Sequence, residues 1–121
     1  AQRDWLKKHL ATTSDKPCVL FVHHTLGDGD GDLLDAERLF QLIKPFPHVK
    51  AIFYGHSHQY SFDRRDAVHL INLPAVGYNF NDNQPVGWVD AKFGQSGVSL
   101  TLHAIGGNTA NAGKTIEKSW I

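Results

Sequence analysis

The sequence predicts an α/β fold in which a β-α-β unit is followed by antiparallel strands. Two short apolar segments, the continuous run at residues 18–22 (CVLFV) and Val49–Tyr54 (VKAIFY), read as strands, the first with the length and β-branched content of a buried one. Between them lies a stretch with helical spacing, the order that a parallel crossover requires. Beyond residue 58 the pattern turns to β only, with turn residues separating the apolar segments.

Residues 4–11 read as a helix, with Trp5, Leu6 and Leu10 on one face and Asp4 as its cap. Residues 12–17 (TTSDKP) form a loop before the first strand. Residues 23–31 (HHTLGDGDG) are a Gly/Asp loop, and residues 32–44 the crossover helix. Asp32 is placed to cap this helix, with Asp35 three residues on as in a weak capping box. Leu33, Ala36, Leu39 or Phe40, and Ile43 keep the helical period until Pro45 and Pro47 stop it.

After the second strand come Gly55-His56-Ser57-His58, then two candidate hairpins. The first pairs residues 59–62 with Val68–Asn72, and the second pairs residues 86–93 with residues 98–104 across 94–97. Residues 73–85 form a loop rich in Asn, Pro and Gly. Trp88 and Phe93 read as core side chains, His69 and His103 as structural residues within strands, and His9 and His48 as solvated. The tail from Gly106 is polar and small, with a short helix near its end. No repeat or linker divides the 121 residues.

Lys+Arg and Asp+Glu both number 12, so the formal charge is zero. That excludes a nucleic-acid binder held mainly by overall charge, but not a phosphate ligand held through metal ions. The single cysteine, Cys18, excludes an internal disulfide framework and reads as a buried structural thiol. No apolar run is long enough to span a bilayer, so no membrane partner is expected. The sequence does not fix the compartment and only leans to the cytoplasm.

The chemistry sits where the crossover ends. Neighbouring parallel strands lie about 4.8 Å apart and end at the same edge of their sheet. His23 follows the first strand at once, and His56 follows the second after one glycine. Two imidazoles therefore meet at the carboxyl ends of the strands, where open α/β sheets place their sites. His58 lies two residues beyond His56, and in an extended segment i and i+2 point to one side. Three converging imidazoles make a metal-ligand arrangement. Gly55 lets the backbone turn sharply beside a bound ion. A histidine in such a loop is more often solvated or hydrogen-bonded, but two His-rich segments at equivalent strand ends favour metal.

Residues 19–26 (VLFVHHTL) resemble the strand–His–His–Pro segment of the calcineurin-like metallophosphoesterases, and residues 52–58 (IFYGHSH) resemble that family's Gly-His-x-His motif. Residues 73–89 (LPAVGYNFNDNQPVGWV) are similar to bacterial members related to cyclic-nucleotide phosphodiesterases. The resemblance implies that residues 1–121 are a single partial domain, the C-terminal half of a four-layer α/β/β/α sandwich. It implies hydrolysis of a phosphodiester or phosphomonoester by a hydroxide activated by two divalent or trivalent ions, Mn, Fe or Zn. His23 and His56 would share the second metal, and His58 would bind the first. His24 would stand beside them, either as a catalytic residue contacting substrate or merely packing there. Tyr78 and Asn79, with Phe80, are candidate substrate contacts in the loop after a strand end. Thr25 stands where the family usually has Pro, a departure that bears on loop rigidity.

The family's Asp-x-His pair, bridging Asp and Gly-Asn-His segment are absent upstream of the first strand. The chain therefore reads as a fragment, truncated, cleaved or completed by a second chain. By itself it is expected to bind one ion or none, to turn over little substrate, and to self-associate or swap elements through exposed apolar surface. The implied partner is a phosphate-ester small molecule, a cyclic nucleotide among the candidates. The alternative reading is a non-catalytic interaction module of the same fold; a closed structural zinc site suits the open Gly-His-x-His loop less well. The run Asp28-Gly-Asp30-Gly-Asp32 resembles the start of a calcium loop but has Leu33 and Leu39 where that loop needs Gly and Glu, and reads as a turn and helix cap.

Overall fold

The computed structural model describes residues 1–26 and 35–121. Its elements are α1 (Gln2–Ala11), β1 (Cys18–Phe21), α2 (Ala36–Ile43), β2 (Val49–Tyr54), β3 (Ser61–Arg65), β4 (Val68–Asn72), β5 (Pro85–Phe93), β6 (Gly97–Gly107) and β7 (Thr115–Ser119). The start expected for the crossover helix, its Asp32 cap, Leu33 and the Asp28–Asp32 run lie outside the described residues. Asp4 does not cap α1. The helix starts two residues earlier behind Ala1, without a side-chain cap, and Asp4 sits in its first turn, where a carboxylate favours the helix dipole.

β1, β2, β4 and β3 form one sheet in that order. β1 pairs parallel with β2 and β2 parallel with β4, while β3 returns antiparallel to β4. The hairpin between β3 and β4 is tighter than the spacing predicts, because Asp66 takes a left-handed φ of 53° and turns the chain. β5, β6 and β7 form a second, antiparallel sheet. A strand therefore stands where a short terminal helix was expected. The alternation of Thr115-Ile116-Glu117-Lys118-Ser119 has period two, and the Lys118 ammonium lies 4.7 Å from the centre of the Phe62 ring.

Two cores hold these layers together. Leu10 of α1, Ile43 of α2, Val49 and Ile52 bury the helix side of the first sheet. Ala51, Phe53, Ile71, Val98, Leu100 and Trp120 fill the space between the two sheets. β2 is thus buried on both faces, which is why it is apolar apart from Lys50 near its start. The described layers are helix, sheet and sheet, three of the four in an α/β/β/α sandwich. Arg65 ties the β3 margin to α2: it donates to Glu37 at 2.8 Å and lies over the Phe40 ring, and this bond holds the Glu37 carboxyl below its usual range.

Three side-chain expectations change. Trp88 and Phe93 are half exposed, not core. Trp88 pairs across β5 and β6 with His103 and stacks on its ring at 5.0 Å on the outer face, while Val98, Leu100 and Leu102 carry the burial. His48 is buried, not solvated: its Nε2 lies 3.4 Å from Thr13 Oγ1 and its ring packs against Phe46. His69 is structural as expected, with Nε2 2.7 Å from the Ser119 carbonyl across the two sheets. Among the described residues no helix is long and apolar enough to cross a membrane.

Ile71 has no exposed surface and joins both sheets in one core. Ile71→Ala should lower unfolding stability by about 2–5 kcal/mol, read as a shift in the urea midpoint at unchanged slope. A shift near zero would show that the inter-sheet space collapses around the deletion.

Candidate metal centre

Backbone pairing between β1 and β2 continues past the strands. Val22 N–H donates to the Phe53 carbonyl at 2.9 Å and Gly55 N–H to the His23 carbonyl at 3.0 Å. The two His-bearing loops therefore leave the sheet side by side. Thr25 adds a second tie, its hydroxyl donating to the Gly55 carbonyl at 3.0 Å.

This brings His23, His24 and His56 together. The His23 ring centre lies 5.3 Å from His24 and 5.2 Å from His56, and His24 lies 5.3 Å from His56. His23 Nε2 and His56 Nδ1 are 3.2 Å apart. Two ring nitrogens so placed share either a proton or an ion. Their spacing is near the roughly 3.4 Å between adjacent donors on a tetrahedral ion with bonds of about 2.0–2.1 Å. All three rings are exposed enough to meet a ligand.

His58 is placed differently. Residues 56 and 58 are not extended: both have left-handed backbones, φ 76° and 56°, so the i, i+2 argument for a shared side loses its premise. Gly55 is not left-handed, and a Cβ there would lie 3.8 Å from the His23 carbonyl oxygen, an ordinary contact. The sharp turn falls on the two histidines instead. The His58 ring stacks on Phe80 at 4.2 Å and meets the edge of Tyr78 at 4.8 Å. Its Nδ1 is buried without a hydrogen-bond partner among the described residues, as a nitrogen reserved for an ion would be.

His23, His56 and His58 nevertheless line one cavity of about 360 Å³ at the carboxyl ends of β1 and β2, walled by Phe21, Pro74 and Val76. The donor set fits metal in kind: neutral imidazoles on exposed or unpartnered nitrogens suit borderline ions. It does not complete a site, since among the described residues no three His, Cys, Asp or Glu side chains are grouped to hold an ion. His24 stands beside the cavity rather than in its wall.

Of the expected substrate contacts, Tyr78 is exposed at the His58 rim. Asn79 braces the loop. Its Nδ2 donates to the Gln84 carbonyl at 2.9 Å, while Gln84 Oε1 accepts from Tyr60 N–H at 2.9 Å. The long loop is thereby laid against the Gly-His-Ser-His segment. Burial pushes the Tyr60 phenol above its usual range. Sequence reasoning missed Gln84 and Asn72, whose Nδ2 donates to Ser57 Oγ at 2.7 Å. The available signal for Asn72 was an amide directly after Leu70 and Ile71 at the end of the strand Val68–Asn72.

The sequence model of the calcineurin-like phosphoesterase family matches residues 1–60. A glycerophosphodiester phosphodiesterase from Enterobacter lignolyticus is 33% identical over 91 residues, covering 67% of this chain and 33% of that protein. A 3′,5′-cyclic adenosine monophosphate phosphodiesterase from Vibrio vulnificus is 27% identical over 96% of this chain and 44% of its own length. The fold matches a dimetal phosphatase from Danio rerio with a TM-score of 0.76 at 13% identity, over 99% of this chain and 38% of that one. The chain spans less than half the length of these proteins.

Among the described residues, the Thr25 hydroxyl is the one side-chain bond seen between the two His loops besides the imidazole pair. Thr25→Val should lower stability by about 0.5–1.5 kcal/mol, measured by chemical denaturation. An unchanged midpoint would mean that water satisfies the Gly55 carbonyl equally well.

Proposed function

Because the chain belongs to the calcineurin-like phosphoesterase family, we propose that it supplies the imidazole ligands of a two-metal phosphodiesterase centre. The observation that carries this reading is that His23, His56 and His58 line one cavity at the ends of two paired strands. In this reading His23 Nε2 and His56 Nδ1 hold one ion jointly, and the buried Nδ1 of His58 holds the other. Two bound divalent ions would supply Lewis acidity toward the phosphoryl oxygens and a water nucleophile at neutral pH.

The residues of this chain fix where that chemistry happens. The β1–β2 pairing sets the distance between the loops, and the cavity seats the phosphate against the imidazoles. His24, exposed and beside both His23 and His56, contacts the phosphate or its leaving group. Tyr78, with Phe80 beside it, forms an aromatic wall over His58 that borders the leaving group; Asn79 acts by holding this loop in place. Two phosphodiesterases among the relatives favour a phosphodiester, with a cyclic nucleotide as the leading candidate.

Three imidazoles are too few for two ions; in this reading residues 1–121 are a single partial domain, the C-terminal half of the catalytic domain, and its other half supplies further ligands. The chain by itself is then nearly inactive, and its exposed Phe21 on β1, the edge strand of its sheet among the described residues, favours self-association.

The test is metal content and hydrolysis of bis-p-nitrophenyl phosphate and 3′,5′-cyclic AMP by the complete polypeptide. His56→Ala should lose bound metal and cut turnover by more than the roughly 10–100-fold that loss of an outer partner costs. His24→Ala should keep its metal and lose turnover. Full metal content and activity in His56→Ala would overturn the assignment.

A further inference from the structure

Asn72 ends β4 as an amide, and only 3% of it is exposed. Its Nδ2 donates to Ser57 Oγ at 2.7 Å, while its Oδ1 is buried with no hydrogen-bond partner among the described residues. A buried unpaired carbonyl oxygen costs about 1–3 kcal/mol, more than one neutral hydrogen bond returns. Stability alone therefore does not explain an amide here.

Ser57 lies between the two left-handed histidines. Non-glycine residues in that region cost of order 1–3 kcal/mol each, and they persist only where the surroundings over-determine the backbone. Gly55 fixes the near end of the segment through the His23 carbonyl, and Tyr60 N–H fixes the far end on Gln84. Between these ties, the side-chain bond that anchors the centre is the one from Asn72.

We propose that Asn72 is a positioning residue: through Ser57 it holds His56 and His58 in the left-handed conformation that aims two imidazoles at the cavity. It touches neither substrate nor metal in this assignment. The effect on metal rests on the phosphoesterase reading, whereas the effect on the backbone does not.

The experiment uses the complete polypeptide and the variants Asn72→Ala, Ser57→Ala and Ser57→Thr. Affinity for Mn²⁺ is measured by calorimetry, and backbone ¹³C shifts and amide exchange of residues 55–58 are measured without metal. Asn72→Ala and Ser57→Ala should weaken Mn²⁺ binding about 10–100-fold. Both should move the shifts of residues 56 and 58 out of the left-handed range and speed amide exchange there. Ser57→Thr, which keeps the hydroxyl, should restore both. A purely structural amide would lower the melting temperature and leave affinity and shifts unmoved, which would overturn the proposal. If Asn72→Ala does not fold, Ser57→Ala decides the question, since its side chain lies in the loop and outside both cores. Failure of the wild type to bind Mn²⁺, Zn²⁺ or iron would sink the phosphoesterase reading, while the metal-free shifts still test the hold on the loop.

Discussion

The site depends on the parallel pairing of β1 and β2 more than on any single side chain. Each ladder bond contributes only about 0.5–1.5 kcal/mol, but the ladder decides which residues leave the sheet together. Because pairing runs on to Gly55 N–H and the His23 carbonyl, two loops 33 residues apart are locked in phase before their side chains come into play. A slip of one residue would turn every side chain of β1 to the opposite face and carry His23 away from His56.

The two cores explain why this pairing is firm. β2 is pressed by α1 and α2 on one side and by the second sheet on the other, with Ala51 and Ile52 fully buried. A strand held on both faces has little freedom to shift, so the end that carries Gly55 and His56 is set by packing far from the cavity. The polar ties at Thr25, Gln84 and Asn72 then shape the loops on this fixed base.

Much of this arrangement was legible in the sequence. The apolar runs at 18–22 and 49–54 named β1 and β2, and the order strand, helix, strand implied that both His segments share an edge. What was not legible depended on side-chain partners. The exposure of Trp88 follows from its facing His103 on the outer side of a sheet, and the burial of His48 from a neighbour, Thr13, that is 35 residues away. The His56–His58 relation was misjudged because periodicity assumes a regular backbone, and both residues leave it. The terminal strand was missed because alternation over five residues is a weak signal until a partner such as β6 is known.

The left-handed turn at His56 and His58 has an evolutionary corollary. Glycine at either position would relax the backbone and make the molecule sturdier, yet it would delete an imidazole. Selection for heat resistance and selection for chemistry therefore pull in opposite directions at these two codons. A library screened only for robustness would drift toward a tougher protein with an emptied centre, as expected wherever conformational strain is kept for the sake of a ligand.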